Sequence, residues 1–244
     1  MIHFKKKLKE LFKKVSIKLF TILYGKIDGK ISSLNNHNVE IKRINFGNNI
    51  HYKVHIIKGS RIYTNRIHDT AYILKNKILV GPSYQLRNNK NTDCENNIVL
   101  KQGTPRIKKK LKGKILSLLS GGGANSNYWH WIFDVLPKLH IASKIYDLDK
   151  IDYFLFPGLS ENFQNESLDL IGIPLQKRIS SENFRHIEAE EIIVPDHPYN
   201  FKNDPSYDSL NIPGWIIIYL KDLFKCGKFS FDLCSIRISC LTKF

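Results

Sequence analysis

The stretch ILSLLSGGGANSNYWHWIFDVLPKL, residues 115–139, joins an apolar run, a glycine triplet and an aromatic-rich segment in direct succession. Residues 115–119 are short and almost wholly apolar, which is typical of a buried strand. From Tyr128 onward the apolar residues recur at helical spacing, so a helix is predicted after the glycines. A strand that leads through a tight turn into a helix is typical of an α/β layer.

The segments on either side extend this prediction. Downstream, a helix at 161–170, strands at 153–156, 178–180 and 191–194, and a helix at 214–224 opened by Pro213 alternate along the chain. Such alternation predicts a parallel sheet. Upstream, residues 31–114 carry strand-length runs at 39–44, 52–57, 71–74 and 78–80, with turns expected at 59–64 and 81–84. We therefore divide the chain into a helix at 1–30, a β-rich segment at 31–114, an α/β lobe at 115–225 and a divergent tail at 226–244.

Composition limits the class of protein. The chain has 244 residues and is 42% apolar, enough for a sizeable core. It has neither an apolar run long enough to cross a membrane nor a secretory cleavage pattern, so a cytoplasmic location is expected. The four cysteines lack metal-binding spacing and are interpreted as reduced thiols.

The net charge of +16 is concentrated in two places. Residues 1–30 carry +7 and residues 101–114 carry another +7, which leaves +2 for the rest of the chain. Two local basic patches, without a recognition-helix or RNA-binding motif beside them, argue against a nucleic-acid partner.

The N-terminal segment, residues 1–27, has a helical stripe of apolar side chains with lysines on its other side. Seven lysines between Lys5 and Lys18 are opposed only by Glu10. This pattern is typical of a helix that lies in an anionic membrane surface. It is equally compatible with an ordinary surface helix packed on the domain, and the sequence leaves both interpretations open.

The glycine triplet does not complete a dinucleotide-binding fingerprint, because Ser126 stands where the third glycine is required. We expect a tight turn whose backbone N–H groups, from Gly122 and Gly123, point into a cleft. Asn125, Ser126 or Asn127 is expected to cap the helix that follows.

That helix brings polar residues together. Asn127, His130, Asp134 and Lys138 fall on one helical face. A carboxylate one turn from an imidazole raises its basicity, so His130 and Asp134 are candidates for general-base catalysis. The alternative interpretation is a satisfied polar contact inside a core helix. Pro137 lacks an N–H for the carbonyl of Phe133, so a kink is expected nearby.

Residues 127–139 resemble the N-Y-x-H-W-L-F-D-x-L-P-R-L signature of glycosyltransferase family 61, in particular its bacterial capsular-polysaccharide branch. Further segments resemble the family in the same order along about residues 40–225. They are residues 61–64, 81–83, 167–173, 190–195 with His197 and Pro198, and 213–215.

The resemblance implies inverting transfer of a sugar from a nucleotide-sugar donor to a hydroxyl group of a carbohydrate acceptor, on a two-lobed GT-B-like fold. It implies that this chain holds the N-terminal, acceptor-side lobe. His130 or Asp134 would be the base, and Asn127 and Tyr128 would shape the acceptor side. No covalently bound cofactor is expected and no metal ligand is assigned. The alternative is that the motif forms the packing spine of the lobe.

The sequence departs from the family after about residue 225. The donor-lobe strand and its glycine-rich loop are not recognisable before Phe244, so we expect this polypeptide to be an inactive fragment when alone. Asp147-Leu-Asp149 matches the metal-binding D-x-D pattern of other glycosyltransferases, but a surface turn is the favoured interpretation.

Two functions therefore stand as hypotheses. The first is the acceptor lobe of a transferase at the inner face of the cell membrane. The second is a non-enzymatic peripheral membrane or scaffold protein.

Overall fold

The computed structural model describes residues 2–34, 36–47, 50–87, 90–92, 94–122, 126–198 and 212–225. Its helices are α1 (Ile2–Tyr24), α2 (Val99–Gln102), α3 (Tyr128–His130), a π-helical turn (Trp131–Val135), α4 (Leu136–Ser143), α5 (Asn162–Ile171) and α6 (Gly214–Lys225). Its strands are β1 (Lys30–Ser32), β2 (Val39–Asn45), β3 (His51–Thr64), β4 (Thr70–Leu74), β5 (Lys77–Val80), β6 (Gln85–Arg87), β7 (Lys90–Thr92), β8 (Lys109–Ser117), β9 (Tyr153–Phe156), β10 (Arg178–Ser180) and β11 (His186–Pro195).

A nine-stranded sheet organises this mixed α/β fold. Its order is β1-β5-β4-β3-β11-β8-β9-β10, and β2 pairs with β3 outside that path. Strands β11, β8, β9 and β10 run parallel to one another, whereas β2, β3, β4 and β5 pair antiparallel. The antiparallel pairing of β11 with β3 joins the two halves. The division expected between residues 114 and 115 falls inside β8.

The apolar runs explain the parallel half. Residues 154–156 of β9 are completely buried, as expected for a strand covered on both faces. Trp131, Leu139 and Phe156 belong to one core cluster, which packs α4, α5 and α6 against the sheet. A second cluster, around Ile62 and Ile192, includes residues of β3 and β11. Burial of these side chains is the main stabilising contribution, at about 25 cal/mol per Å².

The predicted turn at 59–64 is wrong. These residues lie inside β3, which continues from His51 to Thr64 because β11 and β4 pair with its second half. The strand predicted at 191–194 is longer than expected and begins at His186, since β3 and β8 hydrogen-bond its two edges. Both differences come from pairing between segments that are distant in the sequence.

Among its described side chains, those that pack helix α1 on the body lie in its second half. Ser16, Phe20 and Tyr24 are half-buried, whereas Phe4 and Phe12 are largely exposed. Within the described ranges, no helix combines the length and the apolar character that crossing a membrane requires.

Candidate functional site

A buried carboxylate contacted by two histidines lies at the start of the helix that follows β8. His130 Nδ1 and Asp134 Oδ2 are 2.5 Å apart. His197 Nε2 lies 3.7 Å from the same carboxylate oxygen. The Asp134 side chain is 4% exposed and that of His130 is 40% exposed. His130 therefore connects a buried negative charge to the surface.

The electrostatics follow from these contacts. Hydrogen bonding to Asp134 raises the pKa of His130, and this effect exceeds the opposing effect of burial. Burial alone would raise the pKa of Asp134, but the hydrogen bond from His130 and the nearby His197 imidazole outweigh it and lower that pKa. The carboxylate stays ionised, so the imidazole beside it is more basic than a free histidine.

Lys138 completes the cluster from one turn farther along the helix. Its side chain is fully buried, and its Nζ donates hydrogen bonds to the carbonyl oxygens of Leu118 (3.0 Å) and Ser120 (2.6 Å). Burial lowers its pKa to about 7, although the nearby Asp134 carboxylate acts in the opposite direction. Lys138 thus ties the segment after β8 to α4.

Gly121 allows His197 to approach. Its φ of +73° favours glycine, and a Cβ atom there would lie 2.5 Å from the Cδ2 atom of the His197 ring. Ser120 Oγ donates to the carbonyl of Pro195 at 2.6 Å. These contacts hold the segment after β8 next to the segment after β11.

The cluster sits beyond the carboxyl ends of two adjacent parallel strands, β8 and β11. Ligands of open α/β sheets bind in the crevice at this edge. Where Pro137 predicts a kink, the helix contains the π-helical turn, in which the N–H of Leu136 donates to the carbonyl of Trp131. A π-turn lets the helix absorb the missing proline donor.

The remaining predicted site residues have mixed outcomes. Asn127 is the N-cap of α3, and its side chain accepts a hydrogen bond from the His130 N–H at 3.3 Å. The Tyr128 ring packs edge-on against Phe163. Gly122 is buried with φ +87°. Its N–H donates to the carbonyl of Leu119 at 3.2 Å, so the prediction that this N–H points into a cleft is wrong. Gly123 and Asn125 lie outside the described residues.

Two members of the cluster, Lys138 and His197, are not among the site residues predicted from the sequence. Lys138 was visible on the polar helical face, but nothing in the sequence signalled its burial. His197 comes from the other end of the lobe and has no local spacing signal. Only the pairing of β8 with β11 brings it to Asp134.

The D-x-D segment forms a local turn. Asp147 caps a 3₁₀ helix by accepting from the Asp149 N–H at 3.1 Å, and the Asp149 carbonyl accepts from Lys177 Nζ. Among the residues that the structure describes, no group of three or more histidine, cysteine and acidic side chains is arranged to hold a metal ion.

A cavity of about 650 Å³ lies elsewhere, between α1 and the segments around residues 105–109 and 182–186. None of its lining residues belongs to the His130 cluster. We place the candidate active site at His130 because a titratable group there faces solvent beside a buried charge.

Comparisons with known proteins add no relative: no family model, curated protein or solved structure matches this chain.

Proposed function

We propose that the chain is the acceptor-side lobe of an inverting glycosyltransferase of family 61, with a GT-B-like architecture and a nucleotide sugar as the co-substrate. The observation that carries the proposal is the His130–Asp134 contact at the carboxyl edge of the sheet, within the segment that resembles the family signature. Transfer to a hydroxyl acceptor needs a base at such an exposed position.

The proposed chemistry assigns His130 as that base. Its Nδ1–H donates to Asp134, so Nε2 is the nitrogen that takes the proton of the acceptor hydroxyl. As the O–H bond breaks, the acceptor oxygen attacks the anomeric carbon, and the bond from that carbon to the diphosphate oxygen breaks. The nucleoside diphosphate leaves with the electron pair, and His130 is left protonated.

The other members of the cluster support His130. Asp134 fixes the tautomer and stabilises the imidazolium that forms. His197 lies next to the carboxylate. Lys138 hydrogen-bonds the Ser120 carbonyl, in the segment that leads to Gly122 and Gly123. The side chains of Asn125, Asn127 and Tyr128, together with Gly123, are proposed to bound the acceptor pocket.

The proposed location is the inner face of the cell membrane, with α1 as the attachment. A second function, a non-enzymatic peripheral membrane or scaffold protein, would use the same attachment without chemistry at His130. The apolar stripe of α1, which includes Leu8, Leu11, Val15, Leu19 and Ile22, is more than half exposed at each of these positions.

Acceptor binding tests the first function. Saturation-transfer NMR with a panel of oligosaccharides should detect binding by the wild-type chain and by His51→Gln, an exposed histidine at the start of β3. His130→Gln should weaken binding at least roughly tenfold by removing an acceptor contact. Equal binding by His130→Gln would contradict the assignment of His130.

Nucleotide-sugar turnover separates the two functions. The assay measures release of nucleoside diphosphate together with glycosylation of the acceptor, by the chain or by an assembly that contains the chain. Where this turnover is detected, His130→Gln should abolish the turnover and His51→Gln should not. Vesicle binding without saccharide binding by any member of the panel would favour the non-enzymatic function.

A further inference from the structure

The two basic runs of the sequence lie together in the fold. Tyr24, at the end of α1, accepts a hydrogen bond through its hydroxyl from the Lys108 N–H at 3.1 Å. The Lys108 ammonium lies 5.3 Å from the centre of the Tyr24 ring, and Arg61 donates to the Tyr24 carbonyl at 3.3 Å. The end of α1 is thereby fixed beside the start of β8, where the second basic run begins.

This attachment leaves the apolar stripe of α1 pointing outward. At about 100° per residue, the half-buried Ser16, Phe20 and Tyr24 are centred about 130° around the helix from Val15, Leu19 and Ile22. The helix therefore packs on the body through one side and presents apolar side chains on the other. Burying the exposed stripe in the interfacial region of a bilayer would leave the body on the aqueous side.

A groove opens along the flank of α1. It has a volume of about 650 Å³, and its lining includes Phe12, Arg106, Ile107, Lys109, Glu182 and Arg185. Its cationic residues, Arg106, Lys109 and Arg185, outnumber its single acidic residue, Glu182. Phe12 belongs both to this groove and to the outward stripe, and it is 73% exposed.

We propose that this groove binds the phosphate headgroup of an anionic membrane lipid while the apolar stripe of α1 enters the same leaflet. The inference rests on the proposed membrane attachment and adds a defined headgroup site to it. Arg106, Lys109 and Arg185 supply the positive charge that complements a phosphate. Phe12 and Ile107, both largely exposed, extend the apolar surface from the groove to the stripe.

The combination of apolar and cationic groups favours a lipid over a soluble anion. A free phosphate needs only the cations, whereas a lipid also buries Phe12 and Ile107 beside its acyl chains. A single lipid would therefore contact both of these largely exposed side chains. The charge arrangement predicts preference for anionic over zwitterionic headgroups.

Vesicle flotation tests the groove. The full chain is mixed with vesicles of pure phosphatidylcholine or of equimolar phosphatidylcholine and phosphatidylglycerol, and the bound fraction is measured. The double variant Arg106→Gln, Lys109→Gln should lower partitioning to the anionic vesicles by roughly 30-fold, as expected for two charges near the surface. The matched control, Lys144→Gln with Lys221→Gln, removes two exposed lysines that do not line the groove and should retain wild-type partitioning.

A stripe variant makes the two proposals separable. Replacing Leu11, Val15 and Leu19 with Asn should abolish vesicle binding while circular dichroism retains the helix signal. If the stripe variant loses binding and the groove variant keeps it, the headgroup site is wrong and the attachment stands. If the stripe variant binds normally, the attachment itself is wrong.

Two further outcomes would overturn the headgroup site. Equal losses in the groove variant and the lysine control would indicate charge spread over the surface. Calorimetric binding of soluble glycerol phosphate as tight as binding to vesicles, lost in the groove variant, would identify a small-anion site instead.

Discussion

His130 and His186 lie in two buried polar clusters, and the two environments have opposite effects on the pKa of the histidine. His186 is 1% exposed, and its ring lies edge-on to Tyr24 and Tyr63. Burial lowers its pKa to about 4, and the nearby Arg61 acts in the same direction. His130 has a carboxylate as its partner and an exposed edge, and its pKa is raised.

The two histidines also differ in which ring nitrogens are available to a substrate. At His186, Nδ1 donates to the carbonyl of Arg106 at 3.0 Å, and Nε2 lies 3.4 Å from Arg61 Nη1. Both nitrogens are thereby occupied, and the ring stays neutral and enclosed. At His130, Nδ1 is held by Asp134 and Nε2 has no hydrogen-bond partner among the described residues, so the site keeps a basic nitrogen on a partly exposed ring.

The largest effect is expected from Asp134→Asn. The change removes the negative charge beside two imidazoles and Lys138, and it should lower the free energy of unfolding by roughly 3–5 kcal/mol. Urea unfolding at neutral pH measures this loss. The control Asp222→Asn, on the exposed side of α6, should stay within about 0.5 kcal/mol of wild type. A loss below about 1 kcal/mol for Asp134→Asn would show that the cluster is not electrostatically coupled.

A pair of glycine substitutions isolates the contact between Gly121 and His197. Gly172→Ala, at φ +81° with open space around it, should cost about 1 kcal/mol of backbone strain. Gly121→Ala carries the same strain and also displaces the His197 ring, so it should cost roughly 3 kcal/mol. Thermal and urea unfolding of both variants measure the difference. Equal costs would mean that His197 moves aside freely.

Arg61→Met tests the enclosed cluster. The substitution leaves the Tyr24 carbonyl and the Asn76 side chain without a donor that now reaches them at 3.3 and 2.5 Å. We expect a loss of roughly 2 kcal/mol in the free energy of unfolding. The pKa of His186 should rise but stay below 6.5, because burial is the largest cause of its shift. Histidine NMR in the same variant checks this, and a normal pKa would contradict it.

Local patterns predicted the elements that surround the site. The apolar run at 115–119 lies partly in β8, and the strand at 153–156 and the helices at 161–170 and 214–224 were placed within about a residue. The His130–Asp134 contact followed from helical spacing alone. Pro137 indicated the irregular turn, because a missing N–H is visible in the sequence.

Nonlocal pairing could not be predicted in the same way. Strand β11 lies between β3 and β8, and no local pattern specifies which edges a buried strand will join. His197, the approach of Gly121 and the burial of Lys138 all depend on that pairing. The predicted turn at 59–64 failed for the same reason, since Gly59 lies within a long paired strand.

The pH titration of His130 decides whether this histidine is an activated base. Two-dimensional NMR of the histidine side chains, recorded from acid to neutral pH, should show His130 titrating above 6.5 and His186 near 4. Because its pKa is raised in the folded state, protonated His130 stabilises the fold. This stabilisation is fully present below about pH 6.5 and is lost as the pH rises through the folded-state pKa of His130. In Asp134→Asn the pKa of His130 should fall. If His130 titrates at or below 6.5 in the wild type, or is unchanged in the variant, it is not the activated base that this account requires.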